Sequence, residues 1–557
     1  MSLTIISLLT FPLALLPSFP FLPRSYDFNA VITNYTMATT YLPAFRRSIV
    51  NNGAAGLMCS YNAINGIPTC ASPFLYNVLR NIWNYTGYVT SDTGAIESIY
   101  KDHHYVATAA EAACVAIGIT DVCSGAVYHD NVIWCDEAKV KTAVAHTLAL
   151  RMNMGLFDDA TSAPYWHVPI TAVDTQASRA LNLLAAQESL VLLKNSGNVL
   201  PLTKGKKIAV IGPHANATLA MAGNYLGQLC PSNEFECIIS PFLAIQNANT
   251  GGTTTLGQLN SLTKNDTKGW AAAMALAGDA DVVVIALGLD GSLEGEMNDR
   301  TDIDLPAVQH AFAATVGLLG KPTVVILFHG GSIDTTAERD SSSISAIIDA
   351  FYPGTRGAEA IASSIFGDHD HFGGKMAITT YAASYVNDIK MSEMEMDVGV
   401  GRGYRFYTGV PVYPFGAGLS LTTFSLSLSS GPLNSTLNTE IVPSSTLRYT
   451  LKVVNTGART GDTVIQAYYY PQSTPSQASS RLIKQLFDYK RVHLVGGDNA
   501  LITFTVDSST LRLSDKVTGN DVSTPGNFQI SFEDGIVQTQ VNVVVHGNEV
   551  IARIFPW

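Results

Sequence analysis

The sequence predicts a multidomain α/β protein in which two successive α/β regions are followed by an antiparallel β-sandwich. Three observations predict it. Short apolar runs alternate with helix-like stretches up to about residue 160, a second alternation with longer apolar runs fills 178–424, and from 425 the pattern changes to period-two strands rich in Ser and Thr. With 557 residues, 47% apolar and only 14% charged, the chain is long enough for several cores and too apolar for disorder.

In the first region "AAGLMCSY" reads as a strand, "SPFLYNVLRNIW" as a helix, "GYVTSD" as a strand, and "HYVATAAEAACVAI" as a helix. A long helix then ends at "ALRMNMGLFDD", where Gly155 supplies the stop. Such alternation favours parallel strands with crossover helices. In the second region "ALNLLAAQESLVLLKN" predicts a helix, and "KKIAVIGP", "DADVVVIALGLDG" and "KPTVVILFHGG" predict buried strands. Each of these strands runs into glycine at its carboxyl end, where open α/β sheets place their ligand crevices. The third region contains "FSLSLSSG", "TLRYTLKVVNTG", "DTVIQAYYYPQ", "NALITFTVD", "NFQISFEDG" and "QTQVNVVVHG", alternating strands separated by turn residues, with no helix expected.

Charge excludes one class of partner. The 33 basic and 45 acidic residues leave a net charge of -12, with no Lys/Arg run suited to a phosphate backbone, so nucleic acid is not expected. The first twenty residues are apolar and uncharged like the core of a secretory signal, although a basic start is missing and four prolines interrupt 12–23. No other stretch approaches the length of a membrane span. Sequons at Asn34, Asn84, Asn216, Asn265 and Asn434 fit an extracellular route. Seven cysteines leave at least one without an internal partner; Cys59 with Cys70 and Cys230 with Cys237 are close enough to close small disulfide loops. No CxxC pair or HExxH run points to a metal.

Two acidic positions stand out. In "GYVTSDTGAIESIY" an apolar strand runs straight into Asp92, and carboxyl ends of strands carry the catalytic side chains of α/β barrels. Asp is equally favoured as a helix cap or turn residue. The loop "GLDGSLEGEMNDRTDIDLP" follows another strand and places Glu294 and Glu296 two apart; a solvated acidic loop is the plain alternative. Two carboxyl groups on separate regions, one a nucleophile and one an acid/base, are the apparatus of glycoside hydrolysis, with a separation of about 5 Å for retention and more for inversion. Neither proton transfer nor nucleophilic attack in that chemistry requires a cofactor. The adjacent His103 and His104 point in different directions on a helix and do not chelate one ion; they read as surface or rim residues.

The motifs "GLMCSYNAINGIPTC", "GYVTSDTGAIESIY", "ESLVLLKNSGNVLPL", "IAVIGPHANAT", "MAGNYLG", "LEGEMNDRTDIDLP" and "PVYPFGAGLSLTTF", in this order, resemble glycoside hydrolase family three, in its fungal-type β-xylosidase branch, from about residue 28 to 548. The resemblance implies a (β/α)8 barrel, an α/β sandwich domain and a fibronectin type III-like domain, which agrees with the zones read from the residues: 1–25 (possible signal peptide or leader), 26–160, 161–177 (linker), 178–424 and 425–557. It implies a secreted, retaining, exo-acting β-glycosidase that releases xylose from xylo-oligosaccharides. β-Glucosidase or α-arabinofuranosidase activity, or a truncated non-catalytic relative, are the alternatives. Asp92 then matches the nucleophile and Glu296 the acid/base, Glu294 competes for the latter role or lines the substrate site, and Tyr61 matches a tyrosine of the sugar subsite. Oligomeric state stays open.

The chain departs from the family pattern in two places. A complete (β/α)8 barrel takes roughly 250 residues, yet the first region ends by residue 160, so only the carboxyl-terminal part of the barrel is expected. The absent half supplies, in family members, further residues that grip the sugar. The strand "AAGLMCSY" would then expose an apolar edge, which the leader-like segment or another chain must cover. In "GITDVCSG" the acid expected just before Cys123 is Val122, with Asp121 beside it.

Overall fold

The structure is a computed structural model that describes residues 5–8, 26–232, 235–259, 261–263, 267–296, 298–440, 446–475 and 481–557. Its first unit contains a parallel sheet ordered β1 (Ile5–Leu8), β2 (Gly56–Cys59), β3 (Tyr88–Ser91). β1 pairs in register with all four residues of β2, so the edge expected to lie open beside "AAGLMCSY" is taken by part of the leader-like segment. The rest of that segment lies outside the described residues. Helices α1 (Ala95–Lys101), α2 (Ala109–Ala116) and α3 (Glu137–Asn153) follow β3. α2 opens on a capping box between Thr108 and Glu111, and Gly155, in the left-handed region at φ 74°, follows the end of α3.

A buried charge network ties this unit together. Asp121 is fully buried and accepts from Arg80 Nη2 at 2.7 Å and from the Val89 amide at 2.8 Å, while His146 Nδ1 of α3 lies 2.9 Å from its other oxygen. Arg80 also donates to the carbonyls of Tyr85 and Gly87. The displaced acid in "GITDVCSG" therefore serves the frame beneath β3.

The second unit is a six-stranded sheet of β4 (Val191–Asn195), β5 (Lys207–Gly212), β6 (Thr253–Gln258), β7 (Val282–Gly288), β8 (Thr323–Phe328) and β9 (Ala346–Asp349), in the order β4-β9-β8-β7-β5-β6. All neighbours are parallel except β4 with β9. Alternate residues enter different cores: Val284, Ala286, Ile326 and Ile348 pack towards α4 (Gln176–Ser189), α5 (Pro241–Ala248) and α8 (Gly357–Phe366). Val283, Ile285, Val325 and Ile347 pack towards α6 (Trp270–Asp279) and α7 (Ala307–Gly317). Burial on both faces explains why these strands read as continuous apolar runs. One sequence expectation needs correction: "ALNLLAAQESLVLLKN" is not one helix, because α4 stops at Ser189 and Val191–Asn195 is β4. Val191 and Leu192 are buried at that sheet edge, where tertiary packing outweighs a helical pattern.

The third unit packs the sheet β10 (Phe424–Ser430), β12 (Leu447–Asn455), β15 (Asn499–Val506) against a five-stranded one ordered β11-β17-β16-β13-β14. These are β11 (Asn434–Asn438), β13 (Gly461–Ser473), β14 (Gln485–Leu494), β16 (Gly526–Glu533) and β17 (Gln538–His546). Tyr449, Leu451, Phe504, Ile530, Phe532 and Val543 fill the core between them. All six expected strands are present, and no helix occurs there among the described residues. β14, "QLFDYKRVHL", escaped sequence analysis because charged residues interrupt its alternation, a device that suits an edge strand. The carboxyl terminus returns to the first unit, where the Trp557 carbonyl accepts from Arg46 Nε at 3.1 Å and Trp83 Nε1 at 2.8 Å.

Both expected disulfides are present, with a third, Cys114–Cys135, that sequence analysis missed; Cys123 is the free thiol. Asn34, Asn84, Asn216 and Asn434 are exposed, whereas Asn265 lies outside the described residues. Among the described residues no helix is long and apolar enough to cross a membrane.

The Asp121 network generates a stability prediction. Among the described residues, Arg80→Met leaves a fully buried carboxylate with His146 as its one side-chain partner, and urea denaturation is expected to show a loss of about 3 kcal/mol. An unchanged midpoint would contradict the role given to this pair.

Candidate active site

Asp92 sits at the tip of β3 because the chain turns there at once into α1. Gly94, at φ 78°, permits the turn, and its amide donates to the Ser124 carbonyl at 2.9 Å. The Asp92 amide donates to the Cys59 carbonyl at 3.0 Å, which fixes the residue against the end of β2. Its Oδ1 accepts from the Thr93 amide at 2.7 Å and from the Tyr61 hydroxyl at 3.1 Å. Both bonds orient the carboxylate and leave Oδ2 without a hydrogen bond to protein among the described residues.

Tyr61 is held from several sides. The Cys59–Cys70 disulfide closes its loop, His103 Nε2 lies 2.8 Å from its carbonyl, and Tyr26 packs edge-on at 4.6 Å between ring centroids. Desolvation, followed by the negative charge of Asp92, pushes its hydroxyl pKa well up, so the group remains a proton donor. His104 points elsewhere, its Nδ1 lying 3.2 Å from the Tyr100 carbonyl.

The acidic loop leaves β7 through Gly288, whose φ of 139° and close approach to the Phe328 carbonyl exclude a side chain. Its two glutamates have unlike surroundings. Glu294 is half-buried and both its oxygens are occupied: Oε1 accepts from the Gly330 amide and from the Tyr352 hydroxyl at 2.7 Å. Oε2 accepts from the Gly331 amide at 3.2 Å and from Arg300 Nη2 at 3.1 Å. Burial pushes this carboxyl up, but the Gly330 amide, the Tyr352 hydroxyl, Arg300 and the Gly331 amide outweigh it and hold the pKa below the ordinary glutamate value. The donors are themselves pinned, since buried His329 places Nδ1 2.7 Å from the Gly331 carbonyl and Nε2 3.0 Å from Asp349.

Glu296 is exposed two residues further on. Gly295 and Asn298 exchange backbone hydrogen bonds at 3.1 Å, which puts Glu296 at the turn of the loop. Gly295 also packs where a Cβ would stand 2.9 Å from Asn224 Nδ2, bringing "MAGNYLG" against "LEGEMNDR". Tyr225, the next residue, has its amide held by Asn224 Oδ1 at 2.8 Å. The Tyr225 hydroxyl pKa is raised by desolvation, then by the negative charges of Glu296 and Asp92. One tyrosine thus feels both carboxylates, one from each unit.

The structure brings Tyr61 and Asp92 together, leaves Glu296 exposed at the turn of its loop, and holds Glu294 in a separate nest of donors. Sequence reasoning assigned no role to Tyr225, Tyr352 or His329. Tyr225 lay within a quoted motif, but nothing local marks a tyrosine whose partners are 71 and 133 residues away.

Known proteins similar to this chain fall in one family. The family model "Glycosyl hydrolase family 3 N terminal domain" matches residues 29–133, and "Glycosyl hydrolase family 3 C-terminal domain" matches 190–421. Beta-D-xylosidase 1 of Arabidopsis thaliana is 33% identical over 521 residues, 87% of this chain and 66% of that protein. The probable exo-1,4-beta-xylosidase bxlB of Aspergillus clavatus is 33% identical over 566 residues, 95% of this chain and 70% of its own. This chain thus spans about two thirds of the length of these relatives. Among solved structures, a GH3 exo-beta-xylosidase (XlnD) bound to a xylobiose aziridine probe superposes with a TM-score of 0.88 at 29% identity, covering 96% of this chain and 71% of that one. A beta-glucosidase from Listeria innocua in complex with isofagomine gives 0.80 at 25%, covering 93% and 72%. With Asp92 and Glu296 on the matched segments, the chain belongs to glycosyl hydrolase family 3.

Proposed function

We propose that this protein is a retaining, exo-acting β-glycosidase that releases xylose from the ends of xylo-oligosaccharides. The observation that carries the reading is the pair of unlike carboxylates: Asp92 at the strand tip with Oδ1 held by Tyr61 and Thr93, and exposed Glu296 on the loop that Glu294 anchors. In this reading Asp92 Oδ2 attacks the anomeric carbon while Glu296 protonates the departing glycosidic oxygen. Glu296 then takes a proton from water as that water attacks the glycosyl-enzyme, which releases the sugar and restores both carboxyl groups. Tyr61 steadies the nucleophile and lines the sugar subsite. Glu294 is unsuited to donate a proton, because four donors stabilise its ionised form; it positions the loop that carries Glu296.

The choice of xylose rests on the β-xylosidases named above. The Listeria likeness keeps glucose, which differs by one hydroxymethyl group, as the second substrate to compare. The first unit is read as the carboxyl-terminal part of a (β/α)8 barrel (26–160) and the third as fibronectin type III-like (425–557), joined by a linker (161–177) and the α/β sandwich domain (178–424). Three disulfides and four exposed sequons support an extracellular location.

Substitution separates the three carboxylates. Asp92→Asn is expected to lower kcat by about 10^3-fold or more on an aryl β-xyloside, and unchanged turnover would refute the assignment. Glu296→Gln should retain activity only towards substrates with good leaving groups, with azide restoring turnover by entering as the second nucleophile, an effect Glu294→Gln should not show. If azide rescues Glu294→Gln and not Glu296→Gln, the two roles are reversed.

Glu294 also makes a pH prediction. Its folded-state pKa lies below the ordinary 4.5, so its stabilising contribution is complete above that value and is lost as pH falls through the folded-state pKa. Melting temperatures measured from about pH 6 down to about pH 3 should fall more steeply in the unaltered protein than in Glu294→Gln. Parallel curves would contradict the nest.

A further inference from the structure

We propose that His371, Asp462 and His493 form a site for a divalent transition-metal ion, zinc in the first instance, which clips the β-sandwich to the α/β unit. The three side chains come from distant segments. Asp462 in β13 and His493 in β14 are direct cross-strand partners, and His371 reaches them from the loop after α8. One donor atom from each lies within 4.8 Å of the other two, with His371 Nδ1 3.6 Å from Asp462 Oδ2 and His493 Nδ1 hydrogen-bonded to Oδ1. The imidazole rings stand 5.1 Å apart at 30°, so both present nitrogen to the same carboxylate.

The surroundings are ordered in the way metal ligands usually are. Asp462 is only 1% exposed, and Arg491 donates to its Oδ2 through Nε at 2.8 Å and Nη2 at 2.7 Å, which fixes the carboxylate plane and leaves Oδ1 for an ion. Arg491 Nη2 also donates to the His371 carbonyl at 2.9 Å, and the His371 amide donates to His369 Nδ1 at 3.0 Å, so the backbone of this ligand is held on both sides. His369 Nε2 lies 2.8 Å from Ser364 Oγ on α8. Glu188 stands 3.8 Å from Arg491 and offsets its charge, so the arriving dication meets two carboxylates and one guanidinium.

Two imidazole nitrogens with one carboxylate oxygen suit zinc, copper or nickel; calcium and magnesium take oxygen ligands. Tetrahedral zinc with ligand distances of about 2.0–2.1 Å needs donors roughly 3.3 Å apart. The three donor atoms already lie within 4.8 Å of one another, and His371 and His493, both part-exposed, can turn to close on an ion at Oδ1 and to open the His493 contact with it. The ion then replaces the proton shared between His493 and Asp462, which leaves to solvent, and water fills the fourth position.

The test is zinc titration of the full chain after chelator treatment and dialysis, followed by calorimetry and by metal analysis of gel-filtered protein. The expected result is one equivalent bound with micromolar or tighter affinity and a melting temperature raised by several degrees. His371→Ala and His493→Ala should each weaken binding at least tenfold and abolish the thermal shift, while His129→Ala, at an exposed histidine elsewhere, should change neither. His493 is half-exposed, so its replacement tests the site without emptying a core. Absence of stoichiometric zinc in the unaltered protein, or equal binding by all three variants, would overturn the proposal and leave the cluster as a hydrogen-bonded clamp.

Discussion

The geometry of the candidate site depends on the grip exerted on Glu294. A carboxylate that takes two backbone amides, a tyrosine hydroxyl and a guanidinium is a charged, part-buried anchor, and such bonds are among the strongest a loop can make. It adds to the turn that Asp290 starts by accepting from Ser292 and to the packing of Leu293 against the core. Because Glu296 is two residues further along, fixing Glu294 determines where Glu296 can reach. The same anchor recruits β8, β9 and buried His329, so the sheet itself positions the loop.

The opposite wall is built differently. Asp92 is held without a salt bridge, since it follows a strand that pairs with β2 and bridges Val122 on its other side, and its Oδ1 is turned by Tyr61 and Thr93. Beneath it, the Arg80–Asp121–His146 network ties the strand to α3. Each carboxylate thus belongs to a separately stabilised frame. The frames meet where Glu395 accepts from the Thr33 amide and hydroxyl and where Arg405 donates to the Thr39 carbonyl, while within the second unit Asn224 packs against Gly295 beside Glu296. The Cys230–Cys237 disulfide closes the loop immediately beyond.

Much of this was legible in the amino-acid order, and what was not has a physical reason. The parallel strands β5, β7 and β8 are apolar on both faces, and the six alternating strands of the sandwich are each bounded by turns, so local pattern and tertiary role agree. β4 was hidden because Val191–Asn195 continues the apolar spacing of α4, and only its pairing with β9 makes it a strand. β14 was hidden by the charges that make it an edge. Asp92 could be singled out by its position after a strand, but the unlike surroundings of Glu294 and Glu296 depend on donors contributed by residues 300, 330, 331 and 352, which no local pattern brings together. The Cys114–Cys135 pair and the histidines around Asp462 were invisible for the same reason.

The claim on which the rest stands is that Asp92 forms a covalent bond to the sugar. It is tested most directly by incubating the protein with a 2-fluoroxyloside carrying an activated leaving group, which slows hydrolysis of the glycosyl-enzyme, and reading the intact mass and the labelled peptide. The account predicts one fluoroxylosyl group per chain, carried on Asp92 within "GYVTSDTGAIESIY". An adduct on another carboxylate, or none on folded protein, would contradict it.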